Sequence, residues 1–213
     1  MKARFTIYEL VGKSVAATDT IIGVYNARFS ADERYDSYEW SIGSDTRTWT
    51  DSSFDLRFRL SEVGEGVPLP IRFIGKRAPK VECFPDDDGV DTTYRELVVL
   101  SMYKSPVQGS YRGYHVDEPL DTFTVDIYWK TEDFLVMRNI NRGCMDTSTK
   151  LFSIVSKDMG ATIMEFDGLG GYDKSGCMNP KGVLRLFEGN RVEINYVYDK
   201  PRIPKLFIGW RVP

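Results

Sequence analysis

Hydrophobic and polar positions alternate along most of this chain. In SFDLRFRL (53–60), Phe54, Leu56, Phe58 and Leu60 fall on one face and Asp55, Arg57 and Arg59 on the other. That period of two predicts a half-buried β-strand. PLPIRFIG (68–75) repeats it with Leu69, Ile71 and Phe73 inward; Pro68 and Pro70 cannot donate to a ladder, so this strand should lie at a sheet edge or begin there. RELVVLSMY (95–103) is a more continuous apolar run, suited to burial on both faces. In DTFTVDIYWK (121–130), Phe123, Val125, Ile127 and Trp129 oppose Thr124, Asp126 and Tyr128. GVLRLFEGNRVEINYVYD (182–199) is the clearest hairpin: Leu184 and Leu186 share a face, Glu188-Gly189-Asn190 turns, and Val192, Ile194, Tyr196 and Tyr198 return. PKLFIGWRVP (204–213) closes the chain as one more strand.

STKLFSIVSKDMG (148–160) admits two readings. Leu151, Ile154 and Val155 have helical spacing, with Ser148 as a candidate N-cap and Gly160 just past the end. Read as strand, Lys157-Asp158-Met159-Gly160 turns into ATIMEF (161–166). The need of neighbouring strands for paired edges favours the hairpin. No other segment offers a long amphipathic helix, and no internal repeat is visible. The expected class is therefore all-β, sandwich or barrel. SMYKSPVQGSY (101–111) carries Pro106 and Gly109 and suggests a boundary, giving domains 1–103 and 104–213.

Composition narrows the function classes. The 213 residues are 42% hydrophobic and 28% charged, which suits one large or two small globular domains. Residues 1–103 hold thirteen basic and seventeen acidic side chains, and residues 104–213 hold fifteen and fourteen. Neither half is a basic patch that would neutralise phosphates, so nucleic-acid binding is not expected. No apolar run approaches the roughly 18 residues of a membrane-spanning helix. MKARFTIYELVGKS (1–14) has the charges of a signal n-region without the apolar stretch that should follow. A cytosolic chain and an exported, processed one both remain open.

YEWSIGSD (38–45) places Tyr38, Trp40 and Ile42 on one strand before Gly43 and Asp45. This resembles PKD and related immunoglobulin-like modules, with their Tyr-x-Trp-x-Phe-Gly-Asp pattern. Ile42 stands in place of Phe, Ser44 separates Gly43 from Asp45, and the later Gly-x-Tyr-x-Val strand survives only as Gly66-Val67-Pro68-Leu69. The likeness covers residues 20–75 and implies a sandwich filled by the indole. From QGSYRGYHVDEP (108–119) onward the chain is similar to the lipocalin-like barrels of Gram-negative surface lipoproteins, through Gly109, Tyr111 and Gly113 and the closing hairpins. Together these imply a bacterial, extracytoplasmic protein, periplasmic or anchored at the cell surface, with any lipid anchor outside this chain. The implied role is non-catalytic ligand binding. A structural or interaction module of a surface complex comes second, and a glycoside hydrolase third.

The chemistry-bearing residues are weighed on that frame. DGLGGYDKSGCMNPKG (167–182) is glycine-rich, but a proline turn and a hairpin follow it where a phosphate cradle would need a helix. It reads instead as a long loop over a β-scaffold. There Tyr172, Asp173 and Lys174 are candidate ligand contacts, together with Tyr128 elsewhere in the second half, for a glycan or a small apolar molecule. The acidic linker 84–91, FPDDDGVD, lacks the spacing and closing glutamate of an EF-hand; it reads as a solvated linker, with weak calcium binding as the alternative. His115, beside Asp117 and Glu118, is a formal His–carboxylate dyad with no nucleophile in context. Asp126, Glu132 and Glu193 are the carboxylates a hydrolase would draw on. Cys83, Cys144 and Cys177 match no zinc spacing, and Cys144 with Cys177 is a candidate disulfide in an oxidising compartment. No catalytic residue, metal or cofactor is assigned.

Overall fold

The computed structural model describes residues 4–83, 85–131, 134–140, 151–168, 180–198 and 202–213. It is an all-β structure. The chain divides into two compact units, Met1–Leu10 with Val15–Ser101, and Met102–Pro213 with Val11–Ser14.

The first unit contains β1 (Phe5–Val11), β2 (Ser14–Ala17), β3 (Thr20–Ile22), β4 (Asn26–Ala31), β5 (Ser37–Ile42), β6 (Ser53–Arg57), β7 (Pro68–Lys76) and β8 (Val90–Leu100), with one helical turn at Leu60–Val63. They form two four-stranded sheets, ordered β2-β1-β4-β6 and β3-β8-β7-β5. Phe5, Ile7 and Phe29 of the first sheet meet Trp40, Ile71, Phe73, Leu97 and Val99 of the second in one core. Trp40 is fully buried there. Its ring lies 4.2 Å from Phe73, 5.2 Å from Phe5 and 5.6 Å from Phe54, centroid to centroid. The indole N–H donates to the Asp51 carbonyl at 2.9 Å, so its one polar atom is satisfied. Gly43 then ends the strand at φ 54°, and a Cβ there would stand 2.3 Å from Leu69 Cδ1. Only glycine meets both conditions.

Several expectations shift in detail. Residues 53–60 do not continue as one strand: β6 stops at Arg57, and Leu60 begins the helical turn. β7 is central, between β5 and β8, but β5 pairs with it only from Ile71 to Lys76. Pro68 and Pro70 thus occupy the start of the strand, where β5 asks for no donor. In β8, Leu97 and Val99 are buried while Glu96 is exposed and Val98 half-buried, so the run is not covered on both faces.

The second unit contains β9 (Gly109–His115), β10 (Glu118–Thr131), β11 (Phe134–Arg138), β12 (Leu151–Met159), β13 (Ile163–Gly168), β14 (Lys181–Phe187), β15 (Arg191–Val197) and β16 (Pro204–Val212). Each pairs antiparallel with the next, and β16 returns to β9, closing an eight-stranded barrel. Residues 151–159 are strand, as the hairpin reading holds. The turn falls at 160–162, where the Gly160 N–H reaches the Ile163 carbonyl at 2.8 Å, and not at 157–160. Tyr111, Phe123, Val125, Ile127, Leu184, Val192, Ile194 and Phe207 fill the interior. The intervening positions, among them Arg112, Asp126, Arg185 and Glu193, face outward by strand alternation.

One end of the barrel is plugged. A 3₁₀ turn at Met102–Lys104 precedes Val107, which is buried in the barrel core. The Tyr111 hydroxyl donates to the Val107 carbonyl at 2.8 Å, and Trp129 Nε1 to the Met102 carbonyl at 3.1 Å. From the last strand, Arg211 Nη2 donates to the carbonyls of Pro106 and Gln108 and to Tyr111 Oη, its guanidinium 5.5 Å from the Tyr111 ring centroid.

Two stability outcomes are expected. Trp40→Ala should cost about 3–5 kcal/mol in urea denaturation, the range for removing a large buried aromatic; a loss under about 1 kcal/mol would deny the indole its place in the core. Arg211→Lys should cost roughly 2–3 kcal/mol, because lysine lacks the planar group that stacks on Tyr111 and its shorter side chain does not carry a donor to the place of Nη2 beside the Pro106 and Gln108 carbonyls. A variant that melts with the parent would show the plug to be held by Val107 packing alone.

Candidate functional site

In an up-and-down barrel alternate connections share an end. β9 starts beside the plug and runs away from it, so its last residues and the first residues of β10 lie at the opposite end. At that end the apolar interior gives way to buried polar side chains. His115, the last residue of β9, is 3% exposed. Its ring lies 4.9 Å from Phe123 and 6.1 Å from Phe207. Nε2 is 2.8 Å from Tyr196 Oη, and that hydroxyl donates to the Ile140 carbonyl at 2.8 Å. With the single tyrosine proton spent on Ile140, the imidazole meets the oxygen as a donor through Nε2. Tyr198 is also buried, its ring edge-on to Tyr196 at 5.4 Å.

The surroundings set the charge states. Burial is the main cause that depresses the His115 pKa; Lys205 adds to it, while Asp117 and Glu118 pull the other way. Burial pushes the Tyr196 hydroxyl well above the ordinary phenol range and that of Tyr198 up to about 12. Near neutral pH all three rings are uncharged hydrogen-bonding groups. Asp117 and Glu118 face Lys205, which forms an ion pair with Asp117 and lies 4.0 Å from Glu118 Oε1. They do not form a dyad with the imidazole.

The other candidates are distributed as follows. Tyr172, Asp173 and Lys174 lie outside the described residues, as do Glu132 and the pair Cys144 and Cys177. Tyr128 stands on the outer wall of β10, where Arg138 Nη2 donates to its hydroxyl at 3.2 Å. It lines a shallow depression with Ser110 and Asp126, whose side chains hydrogen-bond at 2.7 Å. Tyr128 is therefore not part of the His115 group. Asp126 on β10 and Glu193 on β15 are three strands apart on the outer wall, and the register Glu193–Ile208–Tyr114–Thr122 adds four residues, roughly 13 Å, along the strand direction. Glycosidase carboxylates stand at most about 9.5 Å apart. In the acidic linker, Asp87 and Asp91 approach Arg77 at 3.5 and 3.4 Å, and Asp87 also accepts from the N–H groups of Lys80 and Gly89. These carboxylates fold the loop onto Arg77, and among the described residues no group of three or more ligands could hold a metal.

The His115–Tyr196 contact joins residues far apart in the chain. Its signal in the sequence was periodicity: His115 follows Tyr111 and Gly113 at intervals of two, and Tyr196 and Tyr198 extend the face of Val192 and Ile194. Comparison with protein-family models, curated proteins and solved structures gives no match.

A pH dependence follows, isolated by His115 being the chain's one histidine. Its folded pKa lies below an unfolded value of about 6.5. As pH falls below about 6.5, the unfolded chain takes up a proton that the folded chain refuses, so stability is full above that pH and declines below it. Asp45, held at about 2 by hydrogen bonds from Arg47, acts in a lower window. His115→Gln should flatten the unfolding free energy between about pH 7 and 5. An undiminished slope in that variant would assign the effect elsewhere.

Proposed function

We propose that this chain is a non-catalytic binding protein acting outside the bacterial cytoplasm, periplasmic or anchored at the cell surface. Its second unit binds a small, largely apolar molecule at the barrel end where His115 and Tyr196 stand. The observation that carries this reading is the buried His115–Tyr196–Ile140 hydrogen-bond chain in an apolar barrel, opposite the plugged end. Eight strands give a barrel just wide enough for packed side chains or one small ligand, the form lipocalins use. A neutral imidazole bonded to a neutral tyrosine favours holding a ligand over bond-breaking chemistry, and the dispersal of Asp126 and Glu193 speaks against a hydrolase.

The first unit is proposed as a PKD or immunoglobulin-like sandwich. In support, β1, β4 and β6 share one sheet and β5, β7 and β8 the other. That is the division immunoglobulin-like folds make between strands A, B, E and C, F, G, and the buried Trp40 stands on the strand in C's place. One observation favours the second reading, a module of a surface complex. Leu120, near the start of β10, is 99% exposed, and Val116, in the β9–β10 connection, is also exposed. A partner that covered them would remove apolar area from water.

Titration with N-phenyl-1-naphthylamine, an apolar fluorophore, tests the barrel. The folded protein should give a saturable, blue-shifted signal with one site. Tyr196→Phe should weaken it about fivefold to tenfold, the equivalent of one net hydrogen bond. Absence of saturable fluorescence from the folded protein would leave the interaction module as the better reading.

A further inference from the structure

The outer wall of the barrel carries a feature that the interior does not explain. Strand register aligns Phe187 with Arg191, Arg191 with Trp210, and Trp210 with Arg112, across the adjacent strands β14, β15, β16 and β9. Leu186, Val192, Gly209 and Tyr111 turn inward, so these four side chains project from the same side. Phe187 is 40% and Trp210 44% exposed, unusual for rings of that size. Between them Arg191 is pinned by Glu193, with its guanidinium 5.1 Å from the Phe187 ring centroid. The side chains of Arg112 and Arg185, both exposed, have no ion-pair or hydrogen-bonding partner among the described residues.

The chemistry of this row selects its ligand. The two rings sit two strand spacings apart, roughly 9.5 Å, on a hydrogen-bonded wall that needs no ordering on binding. Ring faces pack against the C–H faces of pyranose sugars, and free guanidinium forks pair with carboxylates or sulfate esters. A purely apolar partner would desolvate Arg112, Arg185 and Arg191 without compensation. A polynucleotide would need more cations than three arginines beside a glutamate, on a chain of net charge −3. We propose that this row binds an anionic polysaccharide bearing uronate or sulfate groups, at a site separate from the barrel interior and independent of what the interior holds.

Affinity electrophoresis of the native full chain decides the matter. Gels contain polygalacturonate (the uronate arm), dextran sulfate (the sulfate arm) or neutral dextran, and an oligothymidylate is titrated in parallel. Migration should be slowed by at least one anionic polymer and not by dextran. Trp210→Ala and Arg112→Gln should each weaken that retardation about tenfold, with unchanged melting temperatures. Tyr196→Phe should leave it intact, which separates this site from the interior one. Unaltered mobility in both anionic polymers would overturn the proposal. Retardation equal in Trp210→Ala and parent would do the same by reducing it to charge alone, as would binding to the oligothymidylate only.

Discussion

The second unit depends on β9 pairing with two partners at once, β10 along one edge and β16 along the other. That closure leaves no free edge and converts a linear meander into an inside and an outside. It is sterically demanding. Gly113 faces Gly209 across the seam, and a Cβ on Gly113 would stand 1.9 Å from the Ile208 carbonyl oxygen. With the seam formed, His115 comes to Phe207 and Tyr196 at one end, Arg211 comes over Tyr111 at the other, and Trp210 lines up with Arg112 outside.

The barrel ends are consequently different in kind. At the plugged end a charged guanidinium is held by backbone carbonyls and an aromatic face, a strong use of charge because the acceptors are fixed. At the other end burial keeps the polar side chains neutral. A buried neutral network is stable only while every member is bonded, which ties the shape of this end to its protonation state. The outward positions carry Arg112, Asp126, Arg185 and Glu193, and the interior is apolar. A lipid-facing barrel has the opposite arrangement, an apolar outer band around a polar lumen.

The sandwich obeys the same logic by other means. Its sheets stay open, and its core is organised around Trp40, touched by rings from both sheets. The outer edge of β5 is covered where the backbones of Trp40 and Trp49 exchange hydrogen bonds. The acidic segment folds back onto Arg77 through Asp87 and Asp91, while Asp86 and Asp88 stay exposed.

Local pattern determined a great deal. The period of two in residues 121–130 and 182–199 specified which side chains turn inward, and Glu188-Gly189-Asn190 specified the turn, with Gly189 and Asn190 at positive φ. Trp40 before Gly43 announced a filled core and an abrupt stop. These features were legible because alternation and turn geometry act over a few residues. Where neighbours outside the segment decide, the reading slipped: the run at 95–100 is covered on one face only, and β6 ends at Arg57. The closing of β9 on β16, the meeting of His115 with Tyr196 and the row from Phe187 to Arg112 were beyond reach of the sequence. Each joins strands remote in the chain, and only the register imposed by closure brings them together.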